Sequence, residues 1–175
     1  VWSRRAGGAA FEVASGLAVD ASGDVVVTGF FESASASFGG SPLVSAGAFD
    51  VFVAKYSGVD GAYLWGVRFG AAGNEFGRAV SIDGRGDVIV AGDFDGVVDF
   101  GGGARTSAGF ADVFLVKLSG ADGSHIWSLR FGGTGTDSAV GVAVDSVDNA
   151  LVTGSFQNTV DFGGAPLGSA GGVDV

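Results

Sequence analysis

A chain of 175 residues with 34 Gly, 15 Phe and 3 Trp, but only 2 Pro and neither Cys nor Met, is one domain's worth of sequence or a part of one. Its formal charge of −10, from 19 acidic and 9 basic residues, makes nucleic acid a poor partner and a cation or basic surface a better one. With 47% hydrophobic and 16% charged residues there is ample material for a core, so disorder is excluded, and the scarcity of good helix formers excludes a helical bundle.

The first segment in chain order is VWSRRAGG around Trp2, which reads as the last strand of a four-strand unit. A first strand follows at Gly16 to Asp20, then a DASGD turn and a second strand at Val25 to Phe30. A long Gly/Ser/Ala-rich connection carrying Phe38-Gly39-Gly40 leads to a third strand, DVFVAKYS, from Asp50. The turn GVDGA then opens a fourth strand, LWGVRFG. All these runs are β-branched or aromatic and bounded by Gly, Asp or Ser, as strands require.

The same order then returns. AVSIDGRGDVIVAGD and GVAVDSVDNALVTGS repeat the first hairpin, DVFLVKLS repeats the third strand, and IWSLRFGG repeats the fourth. Trp2, Trp65 and Trp127 mark the period, and the three repeat frames are 1–51, 52–113 and 114–175. Such self-similarity outranks any single motif in deciding the fold.

Period-2 reading gives each first strand a bulky face (Leu17 and Val19, Val80 and Ile82, Val142 and Val144) and a small one (Gly16 and Ala18, Ala79 and Ser81, Gly141 and Ala143). Sheets stacked around an axis crowd most at their innermost strand, and that asymmetry relieves the crowding. In the fourth strand Trp65, Val67 and Phe69 share one face. A four-stranded antiparallel sheet covered on both sides and repeated radially is a β-propeller blade, so the expected fold is all-β with about three blades.

The AVDASGDVVVTG, SIDGRGDVIVAG and AVDSVDNALVTG segments, the DVFVAKYSGVDG and DVFLVKLSGADG segments and the W-x-x-R-x-G columns resemble the SBBP family of β-propeller repeats. The resemblance covers essentially the whole chain. It implies a propeller fold and an exported or surface protein of bacterial type, and it brings no defined reaction.

The repeat begins in a fourth strand and stops at Asp174-Val175, two residues into a third. Since propellers use about four to eight blades, the expectation is either a piece of a longer array or a head-to-tail homo-oligomer, a dimer giving about six blades. The absence of Met, and with it of an initiator, suits a processed or excised chain.

Several constellations have a chemical reading. Asp20 with Asp24, Asp83 with Asp87, and Asp145 with Asp148 and Asn149 place oxygen ligands that would suit Ca²⁺. The preferred reading is a turn closed by Asx side chains, because a calcium loop gathers more ligands. Glu12, Glu75 and Asp137 form an acidic column, expected to pair with the column Arg5, Arg68 and Arg130; GGTGTD at Gly132 to Asp137 matches a calcium nonapeptide only once, whereas that fold needs tandem copies. Arg85-Gly86-Asp87 spells an adhesion tripeptide absent from the other repeats. His125 is the single histidine and nothing clusters with it in sequence. Phe38, Phe100 and Phe162, each before Gly-Gly, read as loop anchors.

No catalytic, cofactor-binding or metal-ligating residue is assigned, and no cofactor is expected. Zero Cys excludes disulfides and thiolate chemistry, and the Ser-elbow, phosphate-loop and H-E-x-x-H signatures are absent. The expectation is a non-catalytic scaffold or binding module, exported or at the cell surface. Its partners are itself or further blades, with a protein or glycan ligand. The alternatives are part of a propeller enzyme, a lyase or glycan hydrolase with its site in the central channel, and a Ca²⁺-dependent adhesion module.

Overall fold

The structure is a computed structural model describing residues 1–175, and it is all-β. Blade 1 contains β1 (Glu12–Val19), β2 (Val25–Phe31), β3 (Asp50–Tyr56) and β4 (Tyr63–Phe69), hydrogen-bonded in that order and antiparallel throughout. Blade 2 is built from β5 (Glu75–Ile82), β6 (Val88–Phe94), β9 (Asp112–Leu118) and β10 (His125–Phe131). Blade 3 has β11 (Ser138–Val144), β12 (Ala150–Val160) and β13 (Leu167–Asp174). The three sheets are consecutive blades of an open β-propeller, with the first strand of blade 2 lying between those of blades 1 and 3.

The strands begin and end close to their sequence expectation, with two instructive differences. Each first strand starts earlier than the apolar pattern suggests, because a β-bulge is inserted at Ser15, Arg78 and Val140. The bulge breaks the period-2 pattern by one residue and hides the first half of the strand from it. Within the Gly-rich connection of blade 2 a short hairpin forms, β7 (Val97–Asp99) with β8 (Ala104–Thr106). In blade 3 the same register is absorbed into β12 and β13, where Thr159 faces Gly168 and Val160 faces Leu167.

The predicted opening strand around Trp2 does not form a ladder. Residues 1–8 pair only where Gly7 bridges Ser37, since no third strand lies beside them to supply a partner.

The core sits between blades. One cluster joins Val26, Val51, Val53, Trp65 and Phe69 of blade 1 to Val80, Val88, Val90, Phe94, Phe114 and Val116 of blade 2. A second joins Ile89, Ala91, Val113 and Leu115 of blade 2 to Ala139, Val142 and Val144 of blade 3. The bulky faces of the first strands of blades 2 and 3 therefore pack on the preceding blade. In blade 1 that face meets solvent, with Leu17 64% and Val19 55% exposed.

The Phe-Gly-Gly anchors behave as expected where their partner is present. Phe38 stacks on Phe52 with ring centroids 4.2 Å apart, and Phe100 stacks on Phe114 at 4.6 Å. Phe162 has no residue in the column of Phe52 and Phe114 to cover it, and it stays 48% exposed.

Candidate interaction sites at the blade junctions

The junction of blades 1 and 2 is fastened by a tryptophan and a lysine. Trp65 on β4 donates its indole N–H to the carbonyl of Gly120, 3.1 Å away in the turn between the last two strands of blade 2. Lys55 Nζ donates to the same carbonyl at 3.0 Å. Trp2 repeats the contact one blade earlier, reaching Gly58 O at 3.1 Å. The turn accepts the indole because Gly123 has φ +74°, and a Cβ there would lie 2.8 Å from the Trp65 ring. The last glycine of Gly-x-Asp-Gly in these turns, Gly61 and Gly123, thus serves both the backbone conformation and the close approach of the neighbouring blade.

The turn aspartates hold the lysines. Lys55 Nζ lies 2.8 Å from Asp20 Oδ2, and Lys117 Nζ lies 2.5 Å from Asp83 Oδ2 and 3.3 Å from Asp87. Asp20 Oδ1 accepts the amides of Ser22 and Asp24, and Asp83 Oδ1 those of Arg85 and Asp87, which is the Asx-turn geometry. Burial pushes the Asp20 and Asp83 carboxyls up, but the lysine ammoniums and turn amides outweigh it and hold both below the ordinary carboxylate value. In blades 1 and 2 the position a divalent cation would need is filled by an ammonium group. In blade 3, Asp145 is bonded instead by the amides of Val147 and Asn149 and by the Asn149 side chain. No group of three or more His, Cys, Asp or Glu is arranged to hold a metal ion.

The arginine column does not pair with the acidic column. Arg68 bonds Asp50 at 2.5 Å, and Arg130 bonds Asp112; both acids begin third strands and are fully buried. The reason is cross-strand register: Arg68 faces Phe52, two residues from Asp50 on the adjoining strand, well within the reach of a guanidinium. Sequence reading overlooked this pairing although the aspartate recurs in every D-V-F segment.

The acidic column instead closes the loop entering each blade. Glu75 Oε2 accepts the Ala71 amide at 3.0 Å, and Asp137 accepts those of Gly133 at 2.7 Å and Gln157 at 3.1 Å. Glu12 takes the hydroxyl of Ser33. Glu75 is fully buried with one oxygen unpartnered, as is Asp50 Oδ1. Burial, reinforced by the Asp50 and Asp95 charges and opposed by the Ala71 amide and Arg68, raises the Glu75 carboxyl to about 7.

His125 packs its ring against Gly101 and Gly102, as Tyr63 does against Gly39 and Gly40, and its Nε2 has no hydrogen-bond partner. It is a packing residue in a loop-anchoring column. The Arg85-Gly86-Asp87 turn projects Arg85 next to Asp148 of blade 3, 3.8 Å away, while Asp87 faces Lys117, so the tripeptide is divided between two ion pairs.

Apolar grooves open on blade 1 and between blades 2 and 3. One of about 590 Å³ opens between blades 2 and 3, lined among others by Val113, Leu115, Trp127, Phe131, Phe156 and Phe162. The other, about 420 Å³, lies on the outer face of blade 1 beside Trp2, Leu17, Val27 and Phe52. Val113, Leu115, Trp127 and Phe131 occupy the columns of Val51, Val53, Trp65 and Phe69, the blade 1 residues that pack on blade 2.

Comparison with known proteins agrees with this architecture. The family model described as SBBP, beta-propeller repeat, matches residues 126–155, the span from β10 into β12. The chain is also similar to an uncharacterized WD repeat-containing protein of Acanthamoeba polyphaga mimivirus, 30% identical over 118 residues, a match that covers 57% of this chain. It spans only 8% of that protein's length.

Proposed function

We propose that the chain is a non-catalytic propeller scaffold or binding module, exported or displayed at the cell surface, whose open ends take further blades of the same kind. One observation carries the reading: the junction groups recur blade after blade and are left half-filled at the two ends. Trp2 and Arg5 stand in the columns of Trp65 and Arg68, yet Arg5 has no acidic partner. Asp174 stands in the column of Asp50 and Asp112, caps the Ala170 amide as they cap Ala46 and Ala108, and has no arginine. Leu17 and Val19 at one end, and Leu151 (54% exposed) at the other, are the two halves of the apolar contact that elsewhere joins blades.

A second copy of the chain, joined head to tail, supplies both halves. Export is supported only by the resemblance of the repeat. The absence of a catalytic signature supports a scaffolding or binding role. Light scattering of the purified chain tests the assembly: a dimer is expected, and Arg5→Glu should shift it toward monomer while Arg5→Glu combined with Asp174→Arg restores it. A chain that stays monomeric at high concentration overturns the assembly.

A further inference from the structure

Most columns of the repeat keep their character from blade to blade, and those columns build the junctions. One group departs from the repeat. Phe11, Phe30, Phe49 and Phe76 come together at the blade 1–2 junction, at the end where first strands begin and second strands finish. Phe30 is central, with centroids 4.8 Å from Phe76, 5.5 Å from Phe49 and 6.3 Å from Phe11. One repeat later the same four columns hold Asn74, Asp93, Ala111 and Ser138. There a hydrogen bond of 2.7 Å from the Ser138 hydroxyl to Asp93 replaces the Phe30–Phe76 contact. The junction therefore folds with small or polar residues in these places, and blade packing does not require the four rings. Phe11 is 54% exposed and the other three are partly so.

The chemistry around the rings selects a ligand. Arg78, the bulged residue of β5, lays its guanidinium 4.5 Å over Phe76, which shows that these ring faces accept a cation. Its charge is already matched by Asp93, at 2.9 and 3.1 Å. Two acidic residues flank the cluster: exposed Glu32 donates its amide to Phe11 O, and Asp95 is fixed by Asn74, the residue that bridges Phe49. The whole chain carries −10.

We propose that this repeat-breaking aromatic patch binds a basic peptide segment of another protein, in which an arginine or lysine alternates with an apolar side chain. The apolar side chain lies on the phenyl rings, and the cation meets a ring face and the Glu32 side. The four rings lie at the blade 1–2 junction, away from the open ends, so the patch is present whether or not the chain self-associates.

Titration calorimetry of the 175-residue chain tests it. The probe is a capped hexapeptide of alternating arginine and leucine, with the glutamate–leucine hexapeptide and a neutral cello-oligosaccharide as controls. Binding of the basic peptide alone is expected, weaker at higher salt. Phe11→Asn with Phe49→Ala, each taken from the fold's own next repeat, should keep the melting temperature and weaken binding at least about tenfold. Glu32→Gln, at an exposed position, should weaken it about threefold and serves if the double variant is unstable. No heat with the basic peptide, equal binding of the acidic one, binding of the sugar instead, or undiminished binding by a folded variant overturns the proposal.

Discussion

The indole N–H of Trp65 and the carbonyl of Gly120, 3.1 Å apart, belong to different blades, and the bond between them is the clearest sign that the repeats form one structure. Trp65 is buried at the junction and its ring seats on Gly123. Trp65→Ala is expected to cost about 3–5 kcal/mol, the range for deleting a buried large aromatic. Trp2→Ala makes the same change at a junction with only one side, and should cost less than half as much. Urea midpoints of the two variants check the ordering, and equal losses would contradict it.

The lysines in the aspartate turns of blades 1 and 2 make opposite predictions for added calcium and for their own removal. Calcium at millimolar concentration should leave the melting temperature unchanged, because Lys55 and Lys117 already neutralise the turns of blades 1 and 2. Lys117→Met, by contrast, leaves Asp83 buried without its cation and should cost about 1–3 kcal/mol. Thermal melts with and without Ca²⁺ on both proteins read this directly. A gain of stability with Ca²⁺ in the parent chain would restore the adhesion alternative.

Glu75 gives the fold a pH dependence of definite sign. Its carboxyl is raised to about 7 in the folded chain against 4.5 for the ordinary group. The protonated form is therefore favoured by folding, and its contribution is fully present below about 4.5 and is lost as pH rises through about 7. Asp20 and Asp83, held low, act in the opposite sense, but only below the ordinary aspartate range. Melting temperature should thus fall between pH 5 and 8 by a few degrees, on the order expected for 1–2 kcal/mol. Glu75→Gln should flatten that slope; an unchanged slope would place its origin elsewhere.

The period of Trp2, Trp65 and Trp127, together with the D-V-F and turn segments, made the blades legible in sequence, because radial stacking imposes the same residue types on each repeat. The Arg68–Asp50 pair was not legible, since it depends on the register between neighbouring strands and not on spacing along the chain. The bulge at Ser15, Arg78 and Val140 was hidden for a related reason: it shifts the face pattern of the strand without leaving a signature residue. The phenylalanine patch was visible only by subtraction. Phe11, Phe30, Phe49 and Phe76 lie far apart in sequence, and what marks them is that Asn74, Asp93, Ala111 and Ser138 fill the same columns one blade later.

The same column logic identifies where the third repeat carries strain. Gly96 has φ +69° in blade 2, and its column in blade 3 is occupied by Asn158 at φ +61°. Likewise Gly23 and Gly86, both at φ +86°, are followed by Asp148 at +66°. Left-handed backbone is costly for residues with a Cβ and mild for Asn and Asp. Asp148 has compensation, since its Oδ1 accepts the Gly84 amide at 2.8 Å across the blade junction, and removing it forfeits that bond. Asn158 supplies no such bond to a neighbouring blade. Asn158→Gly should therefore stay within about 0.5 kcal/mol of the parent, relief of the left-handed backbone offsetting the added unfolded-state entropy, while Asp148→Gly should be destabilising. Chemical denaturation of both variants separates the two; a larger loss of stability in Asn158→Gly would mean that the asparagine side chain contributes more to blade 3 than its backbone strain costs.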